Sequence, residues 1–263
     1  MKDSNIEETN ITYSFWQGCS KISPGCQYCN MFRTKASILE NGSSIRRIGD
    51  GKSCKLYSIK NPCMVLLNSQ SDFFLKEADD WRKYAWKVIR ETPHLTYQIL
   101  TKRPERIMKC LPDDWGTEGY PNVWLGVSIE EQFFLHRAET LSKVPAKVRF
   151  ISAEPLLEEI NFLITRKGKR IIDDFQWVIL GGEIGNECGE YKYRYSDIAW
   201  YERAINDLKS QTNVAVFMKQ LGSHLRKTLK LKHYHGGELA EWPGSLQIRE
   251  FPGLNIKMVK QGI

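Results

Sequence analysis

The 263-residue sequence contains no long apolar run. Stretches such as Met64–Leu67 and Trp177–Leu180 fall far short of the roughly 18 residues that a membrane helix needs, so a spanning protein is excluded. No basic segment leads into an apolar one at its start. Met1 to Asn10 is acidic and polar, no secretory signal is read there, and the expected location is the cytoplasm. Glycine and proline are few, at 19 and 10 residues, which excludes a collagen-like chain. With 41% hydrophobic and 26% charged residues, a long disordered chain is excluded as well. Neither sign of charge dominates: the net charge of +7 suits a polyanionic partner without requiring one. Cysteine is present in an odd number, seven, and three of the seven crowd between Cys19 and Cys29. In a reducing compartment this favours metal or redox chemistry over a disulfide framework.

Short β-branched or aromatic runs recur along the chain: Ile11–Trp16, Cys63–Asn68, Thr96–Leu100, Asn122–Val127, Val148–Ser152, Gln176–Leu180 and Val214–Met218. From the second to the sixth they are spaced by about 26 to 33 residues, the length of one strand and its crossover helix. The stretches between carry helical period. Leu75, Ala78, Trp81, Ala85 and Val88 share one face, and Phe134, Ala138 and Leu141 another. Ile198, Tyr201, Ile205 and Leu208 form a third, with Ser196 as the expected N-cap. Several strand runs are apolar at consecutive positions, as parallel strands covered on both faces require. The expected architecture is α/β, an incomplete parallel (β/α) barrel of about six to seven strands over residues 1–220. Residues 221–263 are read as a short basic C-terminal extension packed on it, too small to bury a core of its own. Asn41 to Pro62 reads as an inserted loop, and Arg166 to Arg170 as a solvated basic turn.

The strand exits are polar in succession: Asn68-Ser69-Gln70-Ser71-Asp72, Thr101-Lys102-Arg103-Pro104, Ser128-Ile129-Glu130, Ser152-Ala153-Glu154-Pro155, Gly181-Gly182-Glu183 and Lys219-Gln220. In a β/α barrel these ends converge on one mouth, where active sites lie. The sharpest local signal precedes them. Cys19, Cys26 and Cys29, spaced Cys-x6-Cys-x2-Cys, sit on one loop after the first strand, with Gly18 and Gly25 to permit its turns. Three thiolates suit a four-iron, four-sulfur cluster with one open iron. They equally suit zinc with a fourth ligand, for which Cys54 and Cys63 are candidates. Spacing alone does not decide between them, but a loop at the mouth favours the cluster. Tyr28 offers an aromatic on which a nucleoside could stack. Cys110 and Cys188 suggest no second cluster.

A cysteine trio ending in Cys-x-aromatic-Cys after the first strand of a β/α barrel resembles the radical S-adenosylmethionine superfamily. The usual spacing there is Cys-x3-Cys-x2-Cys, and the six-residue first gap departs from it. That gap resembles a narrower group, the phage-associated three-cysteine-motif family of uncharacterised proteins. The resemblance rests on Ser23-Pro24-Gly25-Cys26, Ser71-Asp72, Leu100-Thr101-Lys102-Arg103-Pro104-Glu105-Arg106, Asn122-Val123-Trp124-Leu125-Gly126-Val127-Ser128-Ile129-Glu130, Glu154-Pro155-Leu156, Gly181-Gly182-Glu183 and Lys219-Gln220.

The resemblance implies that Cys19, Cys26 and Cys29 ligate a 4Fe-4S cluster whose open iron binds S-adenosyl-L-methionine. Reductive cleavage would then give a 5′-deoxyadenosyl radical that abstracts hydrogen from substrate. By analogy, Ser69 and Asp72 would meet the methionyl ammonium, and Ser128 and Glu130 the ribose hydroxyls. Gly181 and Gly182 would let backbone approach the cofactor beside Glu183. Lys102 and Arg103 would meet an anionic group of substrate or cofactor, with Glu154 beside them at the reacting centre. Lys219 and Gln220 are the expected substrate contacts. An electron donor of flavodoxin or ferredoxin type is implied, and the substrate is expected to be a nucleic acid or nucleotide undergoing modification or repair. Two rival readings use the same residues without a cluster. One is a barrel hydrolase whose acid and base come from Glu130, Glu154 and Glu183, with a structural zinc. The other is a zinc-knuckle nucleic-acid-binding protein that uses Lys227, Lys230, Lys232 and Tyr234.

Overall fold

A computed structural model of the chain describes residues 2–3, 8–33, 44–48 and 54–253. Each of the seven apolar runs forms a strand: β1 (Ile11–Tyr13), β2 (Cys63–Leu67), β3 (Leu95–Thr101), β4 (Val123–Ser128), β5 (Val148–Ala153), β6 (Trp177–Gly181) and β7 (Ala215–Gln220). All are parallel and pair in strict chain order from β1 to β7. Right-handed crossovers in a sheet of that order place every connection on the same face, so the sheet curls over its other face. The result is a half-barrel. β1 and β7 do not pair with each other; β1 instead has Lys2–Asp3 as an antiparallel neighbour.

The helices are α1 (Asp79–Glu91), α2 (Ile107–Cys110), α3 (His136–Leu141), α4 (Ile198–Gln211) and α5 (Gly222–Thr228). α1 turns Ala85, Trp86, Val88 and Ile89 inward and carries Asp79 and Asp80 in its first turn, where the helix dipole favours acids. α4 buries Tyr201, Ala204, Ile205 and Leu208. Its N-cap is Asp197, which accepts from the Ala199 amide at 2.9 Å, and not the expected Ser196. Ser196 is buried, with its hydroxyl 3.0 Å from that of Tyr201. Both are capping residue types, and the one whose side chain stays beside the first free amides takes the role. The basic stretch expected as a turn is a hairpin, Thr165–Arg166 against Lys169–Arg170. Its corner residues Lys167 and Gly168 have φ of 52° and 80°, as a two-residue hairpin turn demands.

The main core lies between the sheet and its helices. The concave face is closed toward the N-terminal ends of the strands by a second apolar cluster of Met64, Trp124, Val148, Phe150, Trp177, Ile179 and Phe217. Above this plug the same face turns polar, because strand alternation carries Trp124 to Ser128, Phe150 to Ser152 and Phe217 to Lys219. Gly126 lets the Phe150 ring lie across β4: a Cβ there would sit 2.3 Å from that ring. Gly126→Ala is therefore expected to cost about 1–3 kcal/mol, read as a lower urea midpoint. An unchanged midpoint would mean that the plug yields freely.

Residues beyond β7 cover its free edge. Met218 N donates to Ile248 O at 2.8 Å and Glu250 N to Val216 O at 2.9 Å, while Phe251 packs on Trp177 and Phe217. A bare strand edge would otherwise be a template for association.

Candidate active site

The cysteine loop runs across the C-terminal ends of the strands. Trp16–Gln17, just after β1, pairs with Arg46–Arg47, and buried Trp16 donates its indole N–H to Asp72 O at 3.1 Å. Gly18 follows with φ of 90° and passes so close to Ser44 O that a Cβ would lie 2.3 Å away. Short 3-10 turns at Pro24–Cys26 and Asn30–Arg33 then bring Cys26 inward and leave Cys19 and Cys29 partly exposed. All three thiols are free. Burial pushes the Cys19 thiol up to about 12; Asp72 adds to this and Arg103 opposes it. Burial also raises Cys29. Burial thus favours the neutral thiol at Cys19 and Cys29. Among the described residues, no three His, Cys, Asp or Glu side chains close on a point suited to a single ion. Cys54 donates to the Tyr13 hydroxyl at 3.3 Å within the main core, and Cys63 begins β2 at the far end from the mouth. Neither completes a zinc site with the trio.

Three ion pairs at strand exits fasten this loop. At the exit of β4, Glu130 is wholly enclosed. Its Oε1 accepts from Lys102 Nζ at 2.9 Å and from Ser23 Oγ at 2.7 Å, and its Oε2 from Arg137 Nη1 at 2.8 Å. Gly25 packs directly on this carboxylate, a Cβ there falling 2.4 Å from Glu130 Cγ. Burial alone would raise the Glu130 carboxyl, but Lys102 and Arg137 outweigh it and hold it below the usual range. At the exits of β2 and β3, buried Asp72 accepts from Phe74 N at 2.9 Å, Thr101 Oγ1 at 2.7 Å, Lys102 N at 3.0 Å and Arg103 Nη1 at 3.0 Å. Arg103 Nη2 continues to Ser20 O and Oγ at 3.0 and 2.7 Å, and its Nη1 lies 4.0 Å from Cys19 Sγ. At the exit of β6, Arg194 grips both oxygens of Glu183, reaches Pro24 O at 3.1 Å and lies over the Tyr28 ring at 5.4 Å.

The remaining exits face the lumen. Lys219 Nζ lies 3.1 Å from Glu154 and 2.8 Å from Glu8, and Ser152 Oγ donates to Glu154 at 3.2 Å. Gly181 and Gly182 make room for protein groups: a Cβ would meet Glu154 Oε1 at 2.6 Å in the first case and Leu221 O at 2.2 Å in the second. Gln220 donates to Gly182 O at 2.8 Å and its Oε1 has no partner among the described residues. Ser128 is buried and its carbonyl accepts from Arg137 at 2.8 Å, whereas Ser69 is exposed on the turn after β2. Of the residues expected to touch cofactor, Asp72, Glu130 and Glu183 are thus engaged by arginine or lysine side chains. Glu130 and Glu183, with both oxygens occupied, are not free to serve a hydrolase as acid and base. Arg137, Arg194, Ser20, Ser23 and Glu8 were not singled out by sequence. A basic residue soon after an acidic strand exit was the available signal, and nothing periodic marks it.

Fold and site define the chain as an open parallel β/α half-barrel with a clamped three-cysteine loop across its mouth. It belongs to the family described as Protein of unknown function (DUF5131), whose model matches residues 3–250. No curated protein matches the sequence. Among solved structures, spore photoproduct lyase complexed with dinucleoside spore photoproduct is similar, with a TM-score of 0.45 at 12% identity, over 81% of this chain and 64% of that one. The chain thus spans less than two thirds of that protein's length. Among the described residues no helix is long and apolar enough to cross a membrane.

Proposed function

We propose that the chain is a radical S-adenosylmethionine enzyme in which Cys19, Cys26 and Cys29 hold a four-iron, four-sulfur cluster. The observation that carries this reading is a loop of three free, soft donors, fastened by three ion pairs over the mouth of a half-barrel. When bound, such a cluster supplies an electron that cleaves S-adenosyl-L-methionine to methionine and a 5′-deoxyadenosyl radical, the cofactor carrying the difficult chemistry. The chain's own residues orient and seclude. Asp72 with Arg103, Glu130 with Lys102 and Arg137, and Glu183 with Arg194 act as positioning residues that keep the three thiols in register. Tyr28, backed by Arg194, is the surface for a nucleoside ring. The apolar plug closes the lumen from below and keeps water from the reacting centre. Lys219, Glu154 and Gln220 face the substrate, taken as a nucleotide or nucleic acid. A flavodoxin- or ferredoxin-like donor reduces the centre.

Anaerobic purification with iron and sulfide quantitation tests the reading, followed by dithionite reduction with S-adenosyl-L-methionine. The expected result is about four irons per chain and formation of 5′-deoxyadenosine. Stoichiometric zinc without iron, even after anaerobic reconstitution, would overturn it.

A further inference from the structure

The lumen holds polar groups that the loop clamps do not use. Glu8, just before β1, lies over the concave face: its backbone carbonyl accepts from Gln98 Nε2 at 2.9 Å, and its Oε1 meets Lys219 at 2.8 Å. Its Oε2 has no partner among the described residues, although the side chain is only 5% exposed. Gln98, 1% exposed on β3, is in the same condition. Because Nε2 faces a carbonyl, the amide orientation is fixed and the orphan atom is the acceptor Oε1. On the adjacent strand, Leu66 pairs with Gln98, so Asn68 follows two residues further toward the mouth. Asn68 is 2% exposed; its Oδ1 accepts from Phe15 N at 3.2 Å, which leaves Nδ2 as an orphan donor.

Buried polar groups are seldom left unpaired. The Gln98 carbonyl is an acceptor, Asn68 a donor, and Glu8, whose carboxyl burial raises and Lys219 lowers, is an acceptor in its carboxylate form; on neighbouring elements above an apolar floor they form an unfilled pattern. Its complement offers two N–H donors and one acceptor. Charge narrows the choice. Glu8 and Glu154 flank the single Lys219, and because burial raises the Glu8 carboxyl the cluster is neutral with Glu8 protonated and negative with it ionised, so in neither form does it offer phosphate a net positive charge. Lys219 and Glu154 keep 21% and 16% side-chain exposure, so the cluster is reached from their side.

We propose that the upper lumen binds a guanine base, whose edge carries a carbonyl acceptor beside two N–H donors: Glu8 and Gln98 accept from the ring N–H and the exocyclic amine, and Asn68 donates to the carbonyl. Lys219 holds Glu8 in place, and the phosphate and sugar stay toward the mouth. The inference names the substrate group for the proposed enzyme and rests on that reading for the reaction alone; binding is measured apart from it.

Calorimetric titration of the anaerobically purified chain with guanosine, inosine and adenosine 5′-monophosphates tests this, with cluster content recorded in parallel. Inosine lacks the exocyclic amine and adenosine reverses the pattern. Guanosine monophosphate is expected to bind about threefold to tenfold more tightly than inosine monophosphate, the worth of the one neutral hydrogen bond lost at Gln98, and more tightly still than adenosine monophosphate. Gln98→Met, with its melting temperature checked, is expected to weaken guanosine monophosphate binding by about tenfold. Should that variant not fold, the nucleotide series on the unmodified chain decides. Equal affinity for the three nucleotides, or no guanosine monophosphate binding at millimolar concentration, would overturn the site. A guanine preference in a chain that takes up no iron retains the site and removes the reaction. 5′-Deoxyadenosine formation without that preference does the reverse.

Discussion

Replacing Glu130 with alanine is expected to lower the unfolding free energy by about 3–5 kcal/mol, the cost of removing one partner from a buried ion pair. The side chain is wholly enclosed and satisfies Lys102, Arg137 and Ser23 at once, so its loss strands two cations beneath the cysteine loop. The void opens directly under Gly25, next to Cys26, and iron uptake should fall together with stability. Acid supplies an independent check. The folded carboxyl titrates below its unfolded value of about 4.3, because Lys102 and Arg137 outweigh burial. Its contribution is thus fully present above the unfolded pKa and lost as the pH falls through the lower folded value. Urea melts at neutral pH and near pH 3 should show the wild type losing more stability on acidification than the alanine variant. A variant within about 1 kcal/mol of wild type at neutral pH, an ordinary surface effect, would refute the role assigned to this carboxylate.

The strands were legible because parallel strands under helices are apolar at consecutive positions, and each of the seven runs forms one. Sequential pairing then follows from short right-handed crossovers. The α4 cap lies one residue beyond the serine that the sequence suggests, since Ser196 and Asp197 are both capping types and only their surroundings separate them. The candidate site was legible to a smaller extent. Spacing brought out Cys19, Cys26 and Cys29, and the strand exits brought out Asp72, Glu130 and Glu183. The partners of those carboxylates were not visible. Arg137 lies seven residues beyond Glu130, in the first turn of the short helix α3, and Arg194 eleven beyond Glu183 on irregular chain, and no period of the sequence links either arginine to its carboxylate. Glu8 reads as one acid in a polar start, yet it contacts Gln98, 90 residues away. Contacts of that separation leave no local pattern. A charged residue at a strand exit shows that a charge is needed at the mouth. It does not show whether ligand or protein meets that charge, and here protein arginines and lysines take most of them.

Replacing Cys26 with serine is expected to take iron from about four atoms per chain to background and to abolish 5′-deoxyadenosine formation, while leaving the melting temperature of the cluster-free chain nearly unchanged. The loop's rigidity comes from Glu130, Arg103 and Arg194, not from the thiols, so removing one sulfur should delete a ligand without releasing the backbone. The hydroxyl put in its place is a harder and less acidic donor, poorly matched to iron in a cluster. The remaining cysteines are the controls. Cys54 is tied to Tyr13, Cys63 opens β2 away from the mouth, and Cys110 accepts from Arg82 Nη1 at 3.2 Å behind α1. Serine at Cys63 or Cys110 should leave iron content and 5′-deoxyadenosine formation intact, at a modest cost in stability from placing a hydroxyl where a thiol was packed. Iron retained in full by Cys26→Ser, or lost in Cys63→Ser, would assign the metal to a different set of sulfurs and move the reacting centre away from the mouth.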